Sequence, residues 1–143
     1  MATSVQDKNQ AAGSGTRRVM TAYRWVLLVF LLAVAVQIFL AGLGVFSFGN
    51  GDRAGGDQAF SAHQGLGFGI AGASILVLVL AIAARPGKLA LWLAAALVVQ
   101  TCLLQSLLDS LGGDSAAFGG LHALDGLLIA ASAGVQYALV RRR

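Results

Sequence analysis

The stretch WVLLVFLLAVAVQIFLAGLGVF, residues 25–46, decides the fold class, because it has no charged side chain and Gln37 is its one amide side chain. A helix needs about 20 apolar residues to cross the hydrocarbon core of a bilayer. Lipid offers no partner to backbone N–H and C=O groups, so the run must be helical. A cleaved signal peptide is the competing interpretation, but its apolar region is typically only about 7–15 residues long.

Three further apolar runs follow, at residues 63–84, 89–108 and 121–140. With the first run they predict an all-α fold, an integral-membrane up-down four-helix bundle spanning residues 23–143. The polar residues 1–22, rich in Gln, Ser and Gly, are predicted to be a disordered tail.

The bulk composition excludes an ordinary soluble domain. Hydrophobic residues make up 57% of the chain and charged residues 11%, against about a quarter in soluble proteins. The mean hydropathy is +0.78, and the chain has no Glu. We expect the lipid bilayer to be its main partner and expect no nucleic-acid binding. The single cysteine, Cys102, rules out a disulfide within one chain.

The basic residues predict the orientation. Nine of the ten lie in the N-terminal segment, in the turn around Pro86 or at the C-terminus, and Arg53 is the exception. Because Lys and Arg favour the cytoplasmic side, both termini are predicted to be cytoplasmic, in a bacterial plasma membrane. The Gly-rich loop at 49–58 and the polar loop at 109–117 would then be external.

The two halves of the chain resemble each other. A glutamine near the end of the first span, Gln37, aligns with Gln100 in the third. A loop, an Ala-Phe pair (Phe60 in one half, Phe118 in the other) and a His-x-x-x-Gly motif follow in both. The pattern predicts two repeated helical hairpins that pack about an axis along the membrane normal.

The repeat places His63 and His122 at equal depth, at the external starts of the second and fourth spans. Two imidazoles that face each other across a bundle can ligate haem iron from both sides. We therefore predict that both are axial ligands of a haem b. On the same hypothesis, the missing side chains of Gly67 and Gly126 leave room for the macrocycle. The helix dipoles are expected to keep both imidazoles neutral, and Arg53 is expected to pair with a haem propionate. The alternatives are interfacial histidines that only hydrogen-bond loops, and glycines that only pack helices.

Polar side chains inside the spans are further candidates. Asp125, three residues after His122, is a candidate functional acid because an intramembrane carboxylate is costly. Solvation in the headgroup region is the alternative for it. Gln37, Gln100 and Gln105 are expected to form interhelical hydrogen bonds or to line a polar pocket.

With its repeated hairpins and external histidines, the chain resembles one half of the haem A synthase family, over residues 25–140. That resemblance implies a four-helix bundle with His63 and His122 as haem ligands. Phe60 stands where the family's catalytic half has an acidic residue, so the resemblance does not imply haem oxidation by this chain alone. The chain also looks like small four-span actinobacterial membrane proteins of unknown function.

Three functions remain open at this point, and whether the protein is an enzyme is undecided. One is a haem protein that transfers electrons, with a quinone as a candidate partner. Another is a non-catalytic subunit or assembly factor of a larger membrane complex, and the last is a small transporter that uses Asp125. A homodimer is a candidate because it would supply a second half.

Overall fold

The computed structural model describes residues 2–112 and 115–142, and these form helices joined by short connections. The helices are α1 (Ala2–Gly49), α2 (Arg53–Ala84), α3 (Lys88–Val99), α4 (Gln105–Gly112) and α5 (Ala116–Arg141). A π-turn, Gln100–Leu104, joins α3 to α4 without a break, and we call Lys88–Gly112 the third span. No strand occurs among these residues, which confirms the all-α prediction.

Four helical segments are long and apolar enough to cross a membrane: Gly15–Gly49, Arg53–Ala84, Lys88–Gly112 and Ala116–Arg141. This confirms four spans and the architecture of a multi-pass membrane protein. Helix α1 also continues back to Ala2, through the polar segment for which the sequence predicts disorder. A helix that is already nucleated extends at little cost, so a polar segment can continue a span.

The second and fourth spans begin earlier than the sequence predicts. The side chain of Asp52 accepts a hydrogen bond from the Gly55 N–H at 3.0 Å, and α2 starts at Arg53 rather than near residue 63. The Ser115 side chain caps α5 in the same way, accepting from the Ala117 N–H at 3.3 Å. N-capping satisfies the first free amides of a helix, so both helices extend beyond the apolar runs into the polar loops.

The helices form a ring of four neighbours. Helix α1 packs on α2 and α5, and the third span packs on the same two helices. Among the described residues the diagonal pairs, α1 with the third span and α2 with α5, have no Cα atoms within 8 Å. The ring is the up-down bundle that the sequence predicts, and its centre lies between the diagonal helices.

The bundle has an apolar half and a polar half. The apolar core lies at the end of the bundle that contains the start of the first span, the Pro86 turn and the end of α5. The small residues Ser74, Ala94 and Ala133 there let helices approach closely. The largest buried side chains of this core are Tyr23, Leu27, Phe30, Leu97, Val77 and Val140. Large apolar side chains such as Trp92 and Phe39 point outward, as expected for a lipid-facing surface.

Polar contacts tie α1 to α5 at this end. The Tyr23 hydroxyl donates a short hydrogen bond to Oε1 of Gln136, and both side chains are fully buried. Arg24 Nε donates to the carbonyl oxygen of Val140 at 3.0 Å. The first and last spans are therefore joined directly, which closes the ring.

Candidate functional site

His63 and His122 meet at the centre of the polar half of the bundle. Their ring centroids are 6.1 Å apart, and the ring planes are inclined by 51°. The two residues come from α2 and α5, the diagonal helices whose backbones do not touch. The side chains thus cross the axis of the bundle to reach each other.

The histidines lie deeper than the sequence predicts. His63 is ten residues after the start of α2 and His122 is six after the start of α5. At a rise of about 1.5 Å per residue these positions are roughly 15 and 9 Å from the helix starts. The dipole effect falls off within the first turn, so the prediction that both histidines lie at helix N-termini, within reach of the dipole, is wrong.

Gln37 and His63 are joined by two reciprocal hydrogen bonds. The Gln37 side-chain Nε2 donates to the His63 carbonyl oxygen at 2.8 Å. The Gln37 carbonyl oxygen lies 3.0 Å from His63 Nδ1. A carbonyl oxygen can only accept, so Nδ1 carries the proton in this bond. In the neutral ring Nε2 then keeps its lone pair, which is the form that binds a metal ion.

His122 is held differently. Its carbonyl oxygen accepts from Gln105 Nε2 at 3.0 Å, as the His63 carbonyl accepts from Gln37. Gln105 is therefore the structural counterpart of Gln37, and the alignment of Gln37 with Gln100 is wrong. His122 Nδ1 is buried and has no hydrogen-bond partner among the described residues.

A cavity of about 770 Å³ opens beside the two imidazoles. It lies between α2 and the outer half of the third span, where no Cα pair of α2 and α4 comes within 8 Å. Its polar lining includes Gln37, His63, Gln64, Gln105, Asp109 and His122, and Phe60, Phe68 and Ala71 are apolar lining residues. The volume is in the range of about 300–1,000 Å³ that is typical of small-molecule and cofactor sites.

Asp125 lies inside the bundle and is only 4% exposed, which excludes the solvated position that was the alternative for it. Gln100 Nε2 lies 3.2 Å from its Oδ1, and Gln105 Nε2 lies 2.9 Å from its Oδ2. The predicted interhelical hydrogen bonding of the three intramembrane glutamines is confirmed. Gln105 joins the carboxylate to the cavity because it also lines the cavity.

Aromatic rings shield the His63 side of the site. Phe60 meets His63 edge-on with centroids 6.4 Å apart and stacks on Phe48 at 5.8 Å. Two glycines make room for these rings: a Cβ on Gly44 would come within 2.7 Å of the Phe60 ring, and one on Gly56 within 2.7 Å of the Phe48 ring. Neither glycine was a candidate from the sequence, because its role depends on a ring from the other helix.

The structure does not bring every predicted site residue together. Gly67 lines the cavity, but the Gln37 amide already lies 3.2 Å from where its Cβ would be. A Cβ on Gly126 would meet nothing within 4 Å, and Gly126 does not line the cavity. Arg53 is exposed, roughly 15 Å along α2 from His63. Cys102 and Thr101 also line the cavity, although neither was a candidate for the site from the sequence.

The donor set favours some ligands over others. No group of three or more His, Cys, Asp and Glu side chains is placed to hold a metal ion in the part of the chain that the structure describes. A bare metal ion such as zinc normally needs at least three protein ligands. Two histidines are sufficient for a haem iron, because the porphyrin supplies its other four ligands.

Comparisons with known proteins place the chain in a family without assigning an activity. Residues 37–110, just over half of the chain, match the model of a family of unknown function, DUF6220. No curated protein and no solved structure matches. A relationship to the haem A synthase family has no support from these comparisons. The matched segment contains Gln37, His63 and Gln105. Because the match covers more than half of the chain, the chain belongs to the DUF6220 family.

Proposed function

We propose that the protein binds a haem b between His63 and His122 and transfers electrons within the membrane. The observation that carries this proposal is the 6.1 Å separation of two imidazole centroids on diagonal helices. Two imidazole nitrogens, each about 2 Å from one metal ion, place the ring centres about 6 Å apart. The spacing would let both imidazoles hold the iron of one haem.

The hydrogen bond of His63 supports the same assignment. Imidazoles that bind a metal usually donate their other N–H to a carbonyl or carboxylate, which sets the tautomer and the ring orientation. The Gln37 carbonyl oxygen, 3.0 Å from Nδ1, has this role for His63. Among the described residues, His122 Nδ1 has no such partner.

The cavity supplies space and a suitable lining. It is bordered by Phe60 and Phe68 and by the amides of Gln37 and Gln105, and its volume of about 770 Å³ suits a cofactor. A bound haem would supply one-electron chemistry. The chain itself supplies the two nitrogen ligands, the aromatic rings of Phe60 and Phe68 and amide donors at the edge of the cavity, and such features help to set a haem potential.

The orientation belongs to the same proposal. One end of the bundle carries five basic residues: Arg17, Arg18, Arg24, Arg85 and Lys88. Basic residues favour the cytoplasmic side, so both termini are cytoplasmic and the histidines lie in the external half of a bacterial plasma membrane. This position is the one occupied by haem in the family that the sequence resembles. A quinone in the membrane would be a suitable electron partner.

An optical spectrum of protein purified from haem-supplied cells tests the proposal. We expect reduced-minus-oxidised bands of a six-coordinate b-type haem in the wild type, and loss of at least about tenfold of the bound haem in His63→Ala and in His122→Ala. Leu124→Ala is the matched control, since this side chain is 53% exposed and lies two residues from His122. It should keep the bands.

Two results would overturn the haem assignment. One is a folded, colourless wild-type protein that also fails to take up added hemin in detergent. The other is a haem spectrum that both histidine variants retain unchanged. A colourless protein that purifies in fixed ratio with a larger complex would favour the subunit or assembly function instead.

A further inference from the structure

The buried carboxylate of Asp125 has no counter-charge in the structure. It lies nine residues into α5, roughly 14 Å from the helix start, and is 4% exposed. Its two partners are the neutral amides of Gln100 and Gln105, and no cation reaches it among the described residues. A permanent unpaired charge at this depth in a membrane is costly, so a means of neutralisation is expected.

The third span is deformed where it meets this carboxylate. In a regular α-helix Gln100 and Gln105 would lie about 140° apart around the axis, on different faces. The π-turn at Gln100–Leu104 widens the helix, and the Gln105 N–H bonds to the Gln100 carbonyl, five residues back. Both side chains then reach the one carboxylate. π-Bulges are rare overall, and those that occur are frequently found at functional sites.

The site has a partner for either protonation state. As a carboxylate, Asp125 accepts from both amide Nε2 groups. As a neutral acid it needs an acceptor for its own O–H. Gln100 Oε1 is buried and has no hydrogen-bond partner in the part of the chain that the structure describes, and rotation of the Gln100 amide would turn this oxygen toward Asp125. The Gln100 contact with Asp125, at 3.2 Å the longer of its two hydrogen bonds, is the one in which Gln100 would change from donor to acceptor.

Few other titratable groups surround the site. On α5 itself the nearest is His122, and the third span contributes Cys102 and Asp109. Between Arg24 and its end at Gly49, α1 has no titratable side chain. His63 on α2 lies on the far side of the bundle axis, beyond His122. The response of Asp125 to pH can therefore be separated from theirs by substitution.

We propose that Asp125 is a proton-binding site inside the membrane. It takes up protons from the cavity and releases them to it, and the Gln105 amide lies between the carboxylate and the cavity. A hydronium ion that enters the cavity with water transfers its proton to a carboxylate oxygen and leaves as a neutral water molecule, and Gln100 reorients to accept from the new O–H. The site gives the cavity a means to offset a change of charge, whichever charged or redox-active species the cavity binds. The inference goes beyond the haem proposal and does not depend on it.

Infrared difference spectroscopy of the full chain in lipid nanodiscs tests this directly. Spectra at low and high pH should show a carboxylic-acid C=O band that appears as the pH falls, shifts in D₂O and is absent in Asp125→Asn. Asp109→Asn is the matched control, because this exposed acid lines the same cavity on the third span. It should keep the band.

Asp125→Glu is a second variant, needed because the band could be lost in Asp125→Asn simply through misfolding. It keeps a carboxyl group and should retain a pH-dependent band at a shifted frequency. The proposal is overturned if the wild type shows no such band, if the band persists in Asp125→Asn, or if Asp109→Asn removes it. Each of these results is independent of the haem bands, so either proposal can fail alone.

Discussion

Gln37 shows how a single polar residue in an apolar span positions a functional side chain. One amide donates to the His63 carbonyl and the backbone carbonyl of the same residue accepts from the imidazole. From the sequence Gln37 was expected to form interhelical hydrogen bonds, and it does. That it selects one tautomer of His63 follows only from the relative height of α1 and α2.

Replacing the Gln37 side chain removes one of these two bonds and leaves the backbone bond. We expect Gln37→Leu to lower the free energy of unfolding by about 0.5–1.5 kcal/mol, the usual value of an interhelical hydrogen bond in a membrane protein. Unfolding in mixed micelles measures this. Gln64→Leu is the control, since Gln64 is exposed on α2 and has no hydrogen bond among the described residues. An equal loss in both variants would contradict the assignment.

At the scale of elements, the hairpin of α1 and α2 is shaped by glycines that admit aromatic rings. Gly44 faces the Phe60 ring, and Gly42, two residues earlier on the same helix, faces open space. The two glycines look equivalent in the sequence. Only the rotation of α1 against α2 distinguishes them, because a helix turns by about 100° per residue.

This difference gives a matched pair of variants. Gly44→Val should force the Phe60 ring out of its position against His63 and destabilise the protein by about 1–3 kcal/mol, the usual cost of overpacking. Gly42→Val has the same effect on helix propensity but meets nothing within 4 Å. Thermal unfolding followed by size-exclusion chromatography compares the two. Equal midpoints would show that Phe60 does not pack on Gly44.

The third span illustrates what periodicity cannot supply. Its apolar pattern predicts one continuous helix, and the helix is continuous, but the π-turn at Gln100–Leu104 changes which side chains share a face. Gln105 thereby becomes the partner of both Asp125 and His122. The equivalence of Gln37 and Gln105 was hidden for a different reason: their separations from the histidines differ, at 26 and 17 residues.

At the scale of the whole molecule, the bundle separates an apolar half from a half with a polar cavity. Both histidines, Asp125 and the three glutamines lie in the cavity half. Of the basic residues whose side chains the structure describes, all but Arg53 lie toward the opposite end. Because basic residues favour the cytoplasmic side, we expect the end opposite the cavity to face the cytoplasm.

Single cysteines in a Cys102→Ala background test that expectation. With both termini cytoplasmic, Asn50→Cys should react with a membrane-impermeant maleimide in intact spheroplasts, and Arg142→Cys should react only after lysis, because both positions are exposed at opposite ends of the bundle. The reverse pattern would invert the orientation. Labelling of both positions from one side would contradict a chain of four spans.

By itself, the sequence determined the number of spans, their helical state and the residue types inside them. Lipid leaves a long apolar run only one way to satisfy its backbone, so composition and length are sufficient for these properties. Only the tertiary structure decided which of the polar side chains meet. His63, His122, Gln37, Gln105 and Asp125 come from four helices, and their convergence depends on helix rotation, on the early helix starts set by Asp52 and Ser115, and on one π-turn. Helix rotation and the π-turn decide which side chains share a face, and the early starts decide how deep they lie, and a linear pattern of apolar residues encodes neither.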